Sequence, residues 1–169
     1  VRGKTIVPGF IDVHAHLGVS QDLLQPEWTG GFANLAYGIT TVRDPQAVPD
    51  IFAVADIIEA DGVPAPRVYS TGPGLTLGEG MTGNFLARDF RSLDEVRQAM
   101  RRYRDEFHTP YLKSYLVGNR EQRQWVVQAA RELGIMPTTE GGADAKANLT
   151  HAIDGFSGNE HAIPNAPIY

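Results

Sequence analysis

Short runs of β-branched and aromatic residues recur along the chain, each followed by a stretch with helical spacing. Residues 5–13 hold Ile6, Val7, Phe10, Ile11 and Val13, with Pro8-Gly9 as a bend near the start. Further strands are expected at 39–42, 67–71, 111–117, 135–139 and 156–161. Between them, apolar stripes predict helices over 27–37 (Trp28, Phe32, Leu35, Ala36) and 48–60 (Ile51, Val54, Ala55, Ile58). A third begins at the capping-box match Ser92-Leu93-Asp94-Glu95 and runs through Val96, Met100, Tyr103 and Phe107. A fourth spans 119–133, capped by Asn119 with Gln122 three residues on and stopped by Gly134, and a fifth spans 143–153.

Strands separated by crossover helices pair in parallel with right-handed connections. The chain is therefore α/β, and residues 1–169 read as a single domain without a linker, a low-complexity segment or a strong internal repeat. Two architectures fit the order: an open doubly wound sheet and a (β/α)8 barrel. The glycine fingerprint that would favour a nucleotide-binding open sheet is missing after the first strand, where "HAHLG" stands instead. In both architectures chemistry sits at the carboxyl ends of the strands, so those ends are the informative places.

Composition narrows the chemistry. A formal net charge of −5 gives no basic face for nucleic acid or an anionic membrane, and neither is expected as a partner. No run of about 18 apolar residues marks a membrane span. With no cysteine, a metal site must be built from histidine, carboxylates and lysine. The compartment stays open between cytoplasm and periplasm.

The first strand leads into His14-Ala15-His16, two histidines that alternation places on one face. Strand two ends at Arg43-Asp44, and strand four carries Lys113 within the apolar and aromatic run "YLKSY". Strand five ends at Thr139-Glu140, strand six at Glu160-His161. Each group alone has an ordinary explanation: a paired histidine arises by chance, and a lysine can reach water from a strand edge. Their convergence on one end of one strand series favours a metal site instead. Imidazole suits Zn, Fe and Ni, and a carboxylate can bridge two cations. His108 at a helix end and His151 within a helix are expected to be surface groups. The segment "GPGLTLGEG" lacks the lysine ending of a phosphate loop and is expected to be a lid or substrate loop.

The run "GKTIVPGFIDVHAHLG" resembles the opening of the amidohydrolase superfamily, whose members place PG[LF]ID-x-H-x-H on the first barrel strand. The resemblance continues through "GITTVRD", "YLKSY" and "GNEHAIP" and covers almost the whole chain. It is closest to the imidazolonepropionase- and prolidase-like branch, and "GIMPTTEGG…DGFSGNEHAIP" is similar to the group fused to a Tol-type β-propeller.

The resemblance implies a metal-dependent hydrolase of C–N bonds acting on a small amide, cyclic amide or peptide through metal-activated water. His14 and His16 would hold the more buried cation, and His161 the second. Lys113 would be carboxylated on its amine and bridge the two. The family's strand-five histidine is matched here by Glu140, which leaves one or two divalent ions open, Zn being the first choice. The aspartate that moves the proton on strand eight has no counterpart. A (β/α)8 barrel takes about 250 residues, so six βα units in 169 residues are expected to be a partial barrel, inactive alone. Open barrel edges would favour a homo-oligomer. The alternative is a fold unit without catalysis that binds metal weakly or not at all.

Overall fold

The computed structural model describes residues 2–18, 28–61, 63–76, 79–82, 85–115, 118–142 and 144–162. Expected element ends at Glu27, Val117 and Ala143 lie outside these residues. The strands are β1 (Phe10–Asp12), β2 (Ile39–Asp44), β3 (Arg67–Ser70), β4 (Gly74–Thr76), β5 (Glu79–Thr82), β6 (Phe85–Arg88), β7 (Tyr111–Ser114), β8 (Met136–Gly142) and β9 (Gly158–Ala162). The helices are α1 (Thr29–Ala36), α2 (Asp50–Asp61), α3 (Leu93–Asp105), α4 (Arg120–Leu133) and α5 (Ala145–Asp154).

The fold is α/β, with two largely parallel sheets ordered β1-β2-β3 and β5-β6-β4-β7-β8-β9. Every pair is parallel except β5–β6. The expected strand at 67–71 forms as β3 over 67–70, and a further strand, β4, follows it in the Gly-rich segment. β3 pairs with β2, while β4 pairs with β7 through Leu75 and Ser114. The segment expected to be a lid, 72–80, contributes β4 and the start of β5, which pairs antiparallel with β6, and β6 lies along β4. Strand one is shorter than its apolar run suggested, and Ile6, Val7, Phe10, Ile11 and Val13 are exposed.

The turn between β3 and β4 at residues 71–73 is held from several sides. Gly72 takes φ +67°, and a Cβ there would meet the Phe52 ring at 2.9 Å, so only glycine suits both the turn and the packing. Its amide donates to Ser70 Oγ at 2.9 Å, and Ser70 Oγ donates in turn to the Asp44 carbonyl at 3.0 Å. The buried Tyr103 hydroxyl donates to the Pro73 carbonyl at 2.6 Å. The end of β2 is thereby fixed to the joint between the two sheets.

The helices form where local chemistry favours them. Asn119 and Gln122 make the full reciprocal capping box of α4, and Gly134 closes it in the left-handed region at φ 69°. Ser92 accepts from the Glu95 amide at α3, but Glu95 reaches back to the Arg91 amide rather than to Ser92, so that box is only half made. One core packs Val96, Met100 and Tyr103 of α3 and Val126 and Ala130 of α4 on Leu75 and Leu112. A second packs Ile51, Val54 and Ile58 of α2 on Val42 and Val68. Both cores form between the helices and one face of the strands, and Arg43 and Lys113 alternate onto the other face.

Two outcomes follow. Tyr103→Phe removes the donor to a buried carbonyl and should cost about 1–2 kcal/mol in denaturant titrations. On the surface, Arg97 donates to both Glu132 oxygens at 2.7 and 2.8 Å. These bonds and a further one from Gln128 lower the Glu132 carboxyl from the ordinary 4.5 to about 2. A carboxyl depressed on folding stabilises above its unfolded pKa and loses that contribution as pH falls through its folded one. Stability should therefore differ between wild type and Glu132→Gln at neutral pH, and the gap should close as pH falls from about 4.5 to about 2.

Candidate functional site

Parallel pairing brings the carboxyl ends of β1, β2, β7, β8 and β9 to one end of the molecule. The two histidines lie just past β1, held in place by the Ala15 amide donating to the Arg43 carbonyl at 3.1 Å and the Leu17 amide donating to Asp44 Oδ2 at 3.0 Å. The His14 and His16 rings meet edge to face with centroids 5.1 Å apart. The His161 ring lies 4.7 Å from that of His14. Three imidazoles from the two ends of the chain thus share one location.

Each histidine of the first pair has a carboxylate behind it. His14 Nδ1 lies 3.0 Å from Glu160 Oε2, and His16 Nδ1 lies 3.4 Å from Asp44 Oδ1. Asp44, with only 2% of its side chain exposed, also accepts from the amides of Leu17 and Gln46, each at 3.0 Å. Burial raises the Asp44 carboxyl above its ordinary value, outweighing those two bonds and His16, which pull it down. Glu160 is 5% exposed and is gripped by Arg43 and by Thr138. Burial pushes Glu160 upward, but the bonds from Arg43, Thr138 and His14, with the Arg43 charge, hold it below the ordinary carboxylate range.

The other half of the site centres on Lys113. Its side chain is 2% exposed, with Nζ 2.6 Å from Glu140 Oε2 and 5.3 Å from the centre of the Tyr115 ring. Glu140 Oε1 lies 3.3 Å from His161 Nε2, linking the lysine to the imidazole cluster. β8 and β9 run in register with Thr139 opposite Asn159, which sets Glu140 level with Glu160. Gly141 makes this possible: a Cβ there would strike the His161 carbonyl at 2.3 Å. All five residues singled out in the sequence, His14, His16, Lys113, Glu140 and His161, therefore fall in one connected cluster. Of the remaining histidines, His108 is exposed beyond α3, whereas His151 is half-buried with its ring 5.7 Å from Phe156, not the surface group expected.

The donor set suits a divalent cation. Imidazoles whose Nδ1 faces a carboxylate leave Nε2 for a metal, an arrangement common around bound ions. Among the described residues, no three His, Asp or Glu side chains are drawn together tightly enough to hold a metal ion as they stand. Glu140 is turned onto Lys113, and His161 Nε2 faces Glu140.

No family model and no curated protein matches the sequence. Solved structures do match. A prolidase complexed with N-methylphosphonate-L-proline aligns at TM-score 0.66 and 18% identity, over 88% of this chain and 46% of its own. Ochratoxinase of A. niger aligns at 0.63 and 19%, over the same 88% and 46%. Bottromycin amidohydrolase aligns at 0.64 and 20%, over 84% and 30%. The fold is that of prolidase- and amidohydrolase-type proteins. This agrees with the superfamily resemblance of "PGFIDVHAHLG". The chain spans less than half the length of these prolidase- and amidohydrolase-type neighbours.

Sequence reasoning passed over Arg43, Asp44, Thr138 and Glu160 as site residues. The signal was present in "TVRD" and "NEH", where charged residues end strands that should otherwise be apolar. Asp44→Ala strips the acceptor from two buried amides and should destabilise the chain by roughly 2–4 kcal/mol in equilibrium denaturation. Asp44→Asn, which keeps one acceptor oxygen, should lose clearly less.

Proposed function

We propose that this stretch is the cation-binding part of a metal-dependent amidohydrolase that cleaves a C–N bond in a small amide, cyclic amide or peptide. Its consecutive parallel strands, with β3 and β4 as one interrupted strand, would form six units of a (β/α)8 barrel. The carrying observation is the meeting of three imidazoles at the carboxyl ends of these strands, two of them backed by buried carboxylates. His14, His16 and His161 would hold the ion, with Glu140 as a further ligand or bridge. Zn is the first choice for such nitrogen and oxygen donors. A divalent cation there would supply an acidified water and a polarised scissile carbonyl.

The chain's own residues do the positioning. Asp44 and Glu160 hold two rings in place, Arg43 holds Glu160, and Lys113 sets the orientation of Glu140. Lys113 is also the candidate for carboxylation, in which its neutral amine takes up carbon dioxide and releases one proton. Glu140 would then turn away from Lys113 toward the cation. The prolidase and amidohydrolase neighbours support hydrolysis as the reaction class. Hydrolysis is proposed for a protein of their length, and cation binding for these residues.

One observation favours the reading without catalysis: among the described residues no ready three-ligand group exists. Elemental analysis separates the two. Purified chain should carry near-stoichiometric divalent metal, lost on joint His14→Ala and His16→Ala substitution, and intact-mass measurement should show one added carbon dioxide that Lys113→Met removes. Chain that takes up no Zn under any loading condition would sink the metal reading.

A further inference from the structure

Arg43 makes more contacts than a surface cation needs. Its Nη1 donates to the Val13 carbonyl at 2.7 Å and lies 3.4 Å from Glu160 Oε2. Its Nη2 donates to Glu160 Oε1 and to Thr138 Oγ1, the latter at 3.3 Å. The single Thr138 hydroxyl proton then has two acceptors within reach, Glu160 Oε1 and, at 3.3 Å, the Leu112 carbonyl, of which Glu160 is the nearer. Both Glu160 oxygens are thus fixed, and the acceptor direction left on Oε2 points at His14 Nδ1, 3.0 Å away. This chain of contacts joins residues on β2, β8 and β9 to the segment following β1.

Burying a carboxylate with a guanidinium is a weak source of stability, because desolvation offsets the attraction and apolar replacements often do as well. What the pair provides is a rigid acceptor beside an imidazole. Asp44 stands behind His16 more loosely: its two oxygens are fixed by the Leu17 and Gln46 amides, and Oδ1 lies 3.4 Å from His16 Nδ1.

We infer that Glu160, clamped by Arg43 and Thr138, and Asp44, clamped by backbone amides, are positioning residues that fix the ring tautomers of His14 and His16. Each neutral ring carries its proton on Nδ1, donated to the carboxylate, and presents an unprotonated Nε2. Arg43 acts on His14 only through Glu160. The use of those Nε2 atoms as cation ligands rests on the function proposed above, whereas the tautomers themselves belong to the metal-free chain.

Nitrogen-15 NMR of the metal-free chain, at a pH about 1.5 above the ordinary imidazole pKa, reads the tautomers directly. Wild type should show protonated Nδ1 and bare Nε2 on both rings. Glu160→Ala should move the proton of His14 toward Nε2 and leave His16 unchanged, while Asp44→Asn should perturb His16 alone. Wild-type His14 protonated on Nε2, or a His14 tautomer indifferent to Glu160→Ala, overturns the inference. Competition titration with Co2+ gives a second readout: Glu160→Ala should weaken binding by about 10- to 100-fold. Arg43→Met should weaken it too, and the Arg43→Met, Glu160→Ala double variant should bind no more weakly than Glu160→Ala. A double variant clearly weaker than Glu160→Ala overturns the route through Glu160. If wild type binds no Co2+, the proposed function fails, and the NMR result alone decides the tautomer assignment.

Discussion

Parallel pairing is the constraint on which the site depends. A parallel neighbour can be reached only by a crossover, and each crossover here returns the chain to the same end of the sheet. Consecutive carboxyl ends therefore gather side chains that lie far apart in sequence: His14 meets Glu160 across 146 residues, and Arg43 meets it across 117. The helical side holds the apolar core, with Val96, Met100, Leu112 and Val126 completely buried. This packing supplies a fixed base, so the polar ends need not stabilise themselves.

That division of labour explains why charged groups can be buried at the site. Lys113 sits between Leu112 and Ser114, both almost wholly buried, and its ammonium reaches a single carboxylate. Such a pair gains little over an apolar one. Arg43–Glu160 is similar, and Asp44 spends its oxygens on two amides and an imidazole. A fold seeking only stability would have little use for two buried carboxylates and a partly buried third within a few ångströms of three histidines. The scaffold carries them because the cores of α2, α3 and α4 already hold the strands.

Legibility in the sequence followed range. The helices read well because caps and stripes are local signals: Asn119, Gln122 and Gly134 fix α4 within the span that their spacing predicts. The five cluster residues were readable because strand alternation and strand ends are also local. The break at Gly72 was not, since it depends on Phe52 and Tyr103 filling space beside it. The pairing of β6 with β4 was hidden by glycines that suggested a loop. Arg43 and Glu160 were visible as charges at strand ends, but nothing local says that they face each other. Single-sequence reasoning found the five residues that cluster and missed the Arg43, Asp44, Thr138 and Glu160 contacts around them.

Charge around the cluster bears on how many ions it could take. Glu160 faces Arg43, Glu140 faces Lys113 and Asp44 faces His16, so three carboxylates, counted as ionised, and two basic side chains leave one unit of negative charge beside the three imidazoles. One divalent cation would leave the cluster positive by one unit. Carboxylating Lys113 turns a cation into an anion and deepens the negative charge by two units. Two divalent cations would then leave the same single positive unit that one leaves without it. Under the function proposed above, the state of the Lys113 amine would therefore weigh more on the charge balance than the replacement of a histidine by Glu140.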